Sequence, residues 1–262
     1  MVVGLELFRK TFADFSDQYV LIGGTAASLA MEESGLEFRT TKDLDIVLHI
    51  EALTAAFGRA FWQFVGDAGY KILQASEFDK PISYRFQKPA NDRYPTMLEL
   101  FSRTPDGFQL APDSHLTPIP MDEAVSSLSA ILLDDTYYRF IMAGRHEKNG
   151  LSLVGEDRLI PLKAVAWLEL SERKAQGKIQ VDAKNVRKHA NDVLRLAQLL
   201  SAAHRTVLGP KIRDDMQRFL DSIAGDADID PKKIGIRHPT KEMLLERIAD
   251  AFGLEIGKAV HE

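Results

Sequence analysis

Apolar residues recur along this chain at two different periods, and the switch between them marks out its elements. Residues 4–16 place apolar side chains on one side of a helix and Glu6, Arg9, Lys10 and Asp14 elsewhere on it. Tyr19–Ile22 is a short apolar strand, broken by Gly23 and Gly24, and an alanine-rich helix is predicted from Thr25 to about Glu33. A second strand begins at Asp43. Leu53, Phe57, Ala60, Phe61, Phe64 and Val65 then repeat at helical spacing, which predicts an amphipathic helix over 51–67. Tyr70–Leu73 and Ile82–Phe86 follow as strands, the latter alternating Ile82, Tyr84 and Phe86 against Ser83 and Arg85. Asn91–Tyr94 is a turn, and Met97–Phe101 is a strand with Glu99 set among Leu98, Leu100 and Phe101. The stretch 102–120, rich in proline, aspartate and serine, predicts mostly loop. Ile131–Leu133 and Tyr137–Met142 predict a hairpin turning at Asp134.

The pattern changes near Gly155, after which the period is helical. The expected helices are Pro161–Ala175, with Pro161 in its first turn, Asp182 to about His204, capped by Asp182, and two more over 209–224 and 240–254. A loop over 225–238 separates the last two, and no internal repeat is visible. The expected architecture is an α/β domain with a mixed sheet over 1–150, followed by a helical domain over 151–262.

Composition narrows the function classes. A chain of 262 residues, 45% hydrophobic and 27% charged, is that of an ordinary globular protein. No apolar run has the length of a membrane span, and the charges in Met1–Phe15 are not those of a signal peptide. There is no cysteine, so disulfides, thiolate metal sites and thiol catalysis are excluded, and a cytoplasmic location is expected. A net charge of −5 argues against general coating of nucleic acid but leaves room for a local basic groove.

The candidate chemistry starts at Asp43 and Asp45. Side chains two apart on a strand share a face, so these carboxylates repel each other, flanked by the apolar Leu44, Ile46 and Val47. Such a pair suits a divalent cation carried on phosphate. Gly23 and Gly24 allow close backbone approach, and the helix behind them offers N–H groups to an anion. Glu99 is either a third acid of the same site or a solvent-facing side chain on an edge strand. Lys163, expected in a first helical turn where a cation is unfavourable, either pairs with phosphate or snorkels at the surface. Lys184, Lys188, Asp192 and Arg195 fall on one helix face, with Val186, Ala190, Val193, Ala197 and Leu200 roughly opposite. That face is either functional or a solvated one carrying a Lys188–Asp192 pair worth about 0.3 kcal/mol; His189 is expected to be structural. Arg173, Lys174, Lys178, Lys184, Arg187, Lys188 and Arg195 form a basic run that seats a triphosphate or RNA, or simply covers two solvated helices.

Taken together, Ile22-Gly23-Gly24 followed by Asp43-Leu44-Asp45-Ile46 resembles the signature of the DNA polymerase β nucleotidyltransferase superfamily, with Met31–Phe38 as an extension of the spacer. Arg39-Thr-Thr-Lys-Asp-Leu-Asp resembles its AbiEii/AbiGii toxin branch, as do the lysine-led segment Leu159–Leu168 and the helix Asp182–Arg195. The resemblance implies a nucleotidyltransferase fold and Mg²⁺-dependent transfer of a nucleoside monophosphate from a nucleoside triphosphate. It implies Asp43, Asp45, Lys163 and Asp192 as catalytic, with the helical domain completing the active site. Asp43, Asp45 and Glu99 would hold metal, and Gly23, Gly24, Thr25, Arg39, Lys42 and Lys188 would contact the nucleotide. It further implies the toxin of a type IV-like toxin–antitoxin pair, an antitoxin partner, and an RNA acceptor such as the 3′ end of tRNA; no membrane is expected, because no apolar run is long enough to span one. A protein or small-molecule acceptor, or a non-catalytic nucleotide-binding module, are the alternatives.

Overall fold

The computed structural model describes residues 2–75, 82–107, 116–119, 128–177 and 183–256. Two compact units divide the chain: Glu156 onward together with Glu33–Phe38 form the second, and the remaining residues up to Gly155 the first. All but the first two residues of the Met31–Phe38 extension thus cluster with the later helices.

The first unit is built on a mixed sheet, and the apolar run Tyr19–Ile22 forms its inner strand β1. Helix α1 (Leu5–Phe12) precedes it and α2 (Gly23–Glu33) follows without a gap. Strand β2 (Asp43–Leu48) pairs antiparallel with β1, and β5 (Met97–Ser102) pairs parallel with β2. Between them in sequence lie α3 (Ala55–Ala68), β3 (Lys71–Ala75) and β4 (Ile82–Gln87). Strands β6 (Leu116–Ile119) and β7 (Leu128–Leu132), helix α4 (Asp135–Ala143), and strands β8 (Arg145–Lys148) and β9 (Leu151–Val154) complete the unit. Strand order is β3-β4-β5-β2-β1-β9-β8, with β7 pairing β5 and β6 pairing β7.

The two faces of this sheet have different chemistry. In register, Tyr19, Leu21, Leu44, Ile46, Leu48, Leu98, Leu100 and Phe86 share one face, and all are fully buried. The rings of Phe8 and Phe12 from α1 meet Tyr19 there, and Phe61 from α3 meets Phe86 at 5.3 Å. Each fully buried Phe stabilises the fold by about 1.5–3 kcal/mol. This face therefore holds the sheet together, and the opposite one can carry Asp43, Asp45, Glu99 and Arg85.

Two expectations for this unit do not hold. Tyr137–Met142 is helix, not strand. The Asp134 carboxylate accepts from the Thr136 N–H at 2.9 Å as an N-cap, and Tyr137, Tyr138, Phe140 and Ile141 bury one helical face. The hairpin instead joins β8 to β9, turning at Asn149-Gly150 with φ of 50° and 74°; positive φ at both turn residues matches the twist of the strands they connect. Within the stretch 102–120, expected to be mostly loop, Leu116–Ile119 forms β6, which pairs antiparallel with β7.

The second unit is helical: α5 (Glu156–Ala175), α6 (Ala183–Leu196), α7 (Pro210–Ala224) and α8 (Lys241–Phe252). Helix α5 starts five residues earlier than the proline suggests. Glu156 and Asp157 in its first turn complement the helix dipole, and Pro161 lies inside the helix, where its ring removes the N–H that would bond Asp157. Lys163 is consequently not in the first turn, and the dipole conflict expected there does not arise. Asp182, the expected cap of α6, lies outside the described residues, as does Lys178. Val186, Ala190, Val193, Leu194 and Leu196 bury α6, Trp167 packs edge-on against Phe219 at 5.5 Å, and no helix among the described residues is long and apolar enough to cross a membrane.

Candidate active site

The site is built where β1 ends and β2 begins. Asp43 and Asp45 share one half-exposed face of β2, while Leu44 and Ile46 between and after them are fully buried on the other. Register sets Asp45 opposite Ile22 of β1 and, on its other side, opposite Glu99 of β5. Gly23 takes φ +67°, and a Cβ there would sit 1.7 Å from Asp45 Oδ2. A side chain at residue 23 would thus occupy the space of the Asp45 carboxylate.

Gly24 faces the segment that leads into β2. A Cβ at this position would lie 2.6 Å from Thr41 Oγ1 and 3.5 Å from an Arg39 Nη. The Arg39 guanidinium therefore sits by the N-terminal turn of α2. Thr25 is fully buried, and its hydroxyl donates to the Asp43 carbonyl at 2.8 Å. It fastens the start of α2 to the start of β2 and so fixes Asp43. Lys42 is exposed beside Asp43, and its carbonyl accepts from the Thr96 N–H at 2.9 Å, continuing the β2–β5 ladder.

Glu99 is brought beside Asp45, with a partner that sequence reasoning passed over. Arg85 stands opposite it in the β4–β5 register. Arg85 Nε donates to Glu99 Oε1 at 2.5 Å, and Nη2 pairs with the same oxygen. Burial pushes the Glu99 carboxyl above its ordinary value; Arg85 opposes that shift, and Asp45 and Asp43 reinforce it. Arg85 had a signal, the alternation of Ile82–Phe86 that sets it on the polar face, but the register joining β4 to β5 is not a local property of either strand.

Asp43 and Asp45 offer hard oxygen ligands on one face, which fits Mg²⁺ completed by phosphate oxygens and water. Among the described residues, no group of three or more His, Cys, Asp or Glu is placed to hold a metal ion.

Lys163 and Asp192 lie in the second unit and meet each other: Lys163 Nζ is 3.3 Å from Asp192 Oδ2. Arg195 Nη1 is 3.6 Å from Oδ1 of the same carboxylate, which is wholly buried. Asp192 is thus not on a solvated face; it ties α5 to α6 from inside. Lys188 and Lys184 are exposed on α6, as are Arg173 and Lys174 at the end of α5. Arg187, also exposed, pairs with Asp228 at 3.6 Å.

No protein-family model matches the chain, and no curated protein is similar to it in sequence. Among solved structures, a similar chain is an antigenic nucleotidyltransferase-like protein from Paracoccidioides brasiliensis. It is 16% identical, with 84% of this chain and 90% of that one covered and a TM-score of 0.43.

Proposed function

We propose that the protein is a nucleotidyltransferase that binds a nucleoside triphosphate and Mg²⁺ in its first unit. The observation that carries this reading is the seating of the Asp45 carboxylate directly against Gly23, at the N-terminal turn of α2. One small volume thereby joins two carboxylates, helix N–H groups and the Arg39 guanidinium, the set that a metal–triphosphate requires.

Asp43 and Asp45 would hold the ion. When bound, Mg²⁺ supplies charge neutralisation at the phosphates and a lowered pKa for an attacking hydroxyl. The backbone at Gly23 and Gly24 and the Arg39 side chain bind and orient the triphosphate tail, and Lys42 adds positive charge beside Asp43. Thr25 holds Asp43 in place through its carbonyl.

We further propose an RNA acceptor. Arg173, Lys174, Lys184 and Lys188 are exposed close together in sequence on an otherwise acidic chain, and each phosphate contact adds to affinity and to its salt dependence. The toxin role implied by the AbiEii resemblance belongs to the same proposal, with the nucleotide-modified RNA as the damaging product. The test is incubation with each of four α-labelled nucleoside triphosphates, Mg²⁺ and a cell extract. Label removed by ribonuclease supports the RNA reading. Label removed only by protease replaces it with a protein acceptor, and absence of label with retained nucleotide binding leaves a binding module.

A further inference from the structure

The end of the first sheet that carries Asp43 holds cations beyond Lys42. Asp43 of β2, Met97 of β5, Gln87 of β4 and Lys71 of β3 stand in one row of the register, and side chains directly opposite one another share a face. Lys71 is thus on the face of Asp43, three strand spacings or about 14 Å away. Met97 and Gln87 between them are half-buried. The loop 88–96, which joins β4 to β5, closes the same end. The Lys88 N–H donates to the Thr96 carbonyl at 3.1 Å, and the Ala90 N–H to the Gly69 carbonyl, just before β3, at 3.2 Å. Asp92 is the one acid in this loop.

Lys71, Lys88 and Arg93 are exposed, and among the described residues none of their side chains has a hydrogen bond or an ion pair. Arg9, Lys10, Arg85, Arg103 and Arg139 of the same unit each meet a carboxylate instead. Lys88 also holds φ at 53°, a left-handed backbone that is uncommon outside glycine, asparagine and aspartate. The turn carries a lysine there in spite of that preference.

Resting on the nucleotidyltransferase reading, we propose that this sheet end is the acceptor's track in the first unit. The 3′ segment of a single-stranded RNA crosses it from Lys71 to Asp43, with Lys88 and Arg93 on its phosphates. Two observations choose the occupant. On the β1 side of Asp43 stand Gly23, Gly24 and Arg39, given above to the triphosphate, so an attacking hydroxyl has the β5 side left to enter from. The cations are also strung out across strands and not gathered at one point, which suits a chain with one charge per unit. Met97 and Gln87 lie between Lys71 and Asp43, and they offer an apolar surface and an amide to the bases. An acidic peptide would use the cations and leave that middle unused. The strand must be single because its terminal hydroxyl has to reach the ion on Asp43.

Fluorescence anisotropy of a fluorescein-labelled oligouridine with the full chain, titrated with salt, reads this track without turnover. The variant combines Lys71→Gln with Lys88→Gln. It should flatten the slope of log affinity against log salt by about 1.4, at about 0.7 per phosphate contact on a single strand, and weaken binding about 25-fold at roughly 0.1 M salt. Both side chains are exposed, so the variant should melt as the wild type does by circular dichroism. A folded variant with the wild-type slope and affinity would overturn the inference, as would a wild type that does not bind the oligouridine. Polyglutamate of equal charge that displaces the label as well as unlabelled oligouridine does would overturn it in favour of an acidic protein. Calorimetry of the wild type with Mg²⁺ and α,β-methylene triphosphates tests the parent reading separately. Nucleotide bound there, with the RNA slope unmoved by the two substitutions, sinks this inference alone; no nucleotide bound removes the parent reading and this inference with it.

Discussion

Replacing Asp192 with alanine should destabilise the second unit severely. The carboxylate is wholly buried, and Lys163 with a side chain 9% exposed sits 3.3 Å from it, with Arg195 3.6 Å away. Deleting the acid leaves an ammonium charge in a place water scarcely reaches. Breaking a buried pair from one side costs about 3–5 kcal/mol, which at this size lowers the melting temperature by on the order of 10 °C. Surface ion pairs cost far less, about 0–1 kcal/mol, so the measurement separates the two cases. The assay is urea unfolding followed by circular dichroism for Asp192→Ala, Lys163→Met, and Lys163→Met with Asp192→Leu. The double variant should be more stable than Asp192→Ala, because it removes both charges. A loss below roughly 0.5 kcal/mol for Asp192→Ala would refute the reasoning, and a collapse of nucleotide transfer at unchanged stability would return the pair to the catalytic role the resemblance implies.

Two further outcomes follow from the first unit. Gly23→Ala meets a left-handed backbone costing roughly 1–2 kcal/mol and a methyl that would lie 1.7 Å from Asp45 Oδ2; loss of nucleotide binding by calorimetry together with a lower melting temperature is expected, and retention of both would contradict the packing. Glu99 is held above its ordinary carboxylate value chiefly by burial, so its proton is favoured in the folded state. Its contribution is most favourable at low pH and is lost as pH rises from its unfolded value through its raised folded one. Urea midpoints against pH should fall across that window in the wild type and less so in Glu99→Gln; parallel curves would refute the assignment.

How much of this was legible in sequence depends on how local each feature is. The Gly23-Gly24 break and the Asp43–Asp45 spacing are short-range: β1 ends at Ile22 and the two carboxylates share one face of β2, both as read. The run Tyr137–Met142 is apolar and short, and such runs do not distinguish strand from helix by period; Asp134, taken as a turn, is a helix cap. Asn149-Gly150 was the strongest hairpin signal available, but Arg145–Lys148 before it lacks apolar alternation, because β8 is an edge strand made of polar and charged residues. Pro161 marked a helix start only if helices tolerate no internal proline, and the acidic Glu156 and Asp157 mark the true one. The Arg85–Glu99 pair and the burial of Asp192 depend on partners 14 and 29 residues away in sequence, beyond the reach of periodicity.

The central claim is that Asp43 and Asp45 hold the metal that serves nucleotide transfer. Its most direct measurement is incorporation of label from an α-labelled nucleoside triphosphate by Asp43→Asn and Asp45→Asn, each shown by circular dichroism to melt as the wild type does. Each substitution removes one charge with little change of volume, so the account predicts Mg²⁺-dependent incorporation by the wild type and a loss of at least about 100-fold in both variants, roughly 2.7 kcal/mol of transition-state stabilisation. Transfer at the wild-type rate by either variant would contradict it.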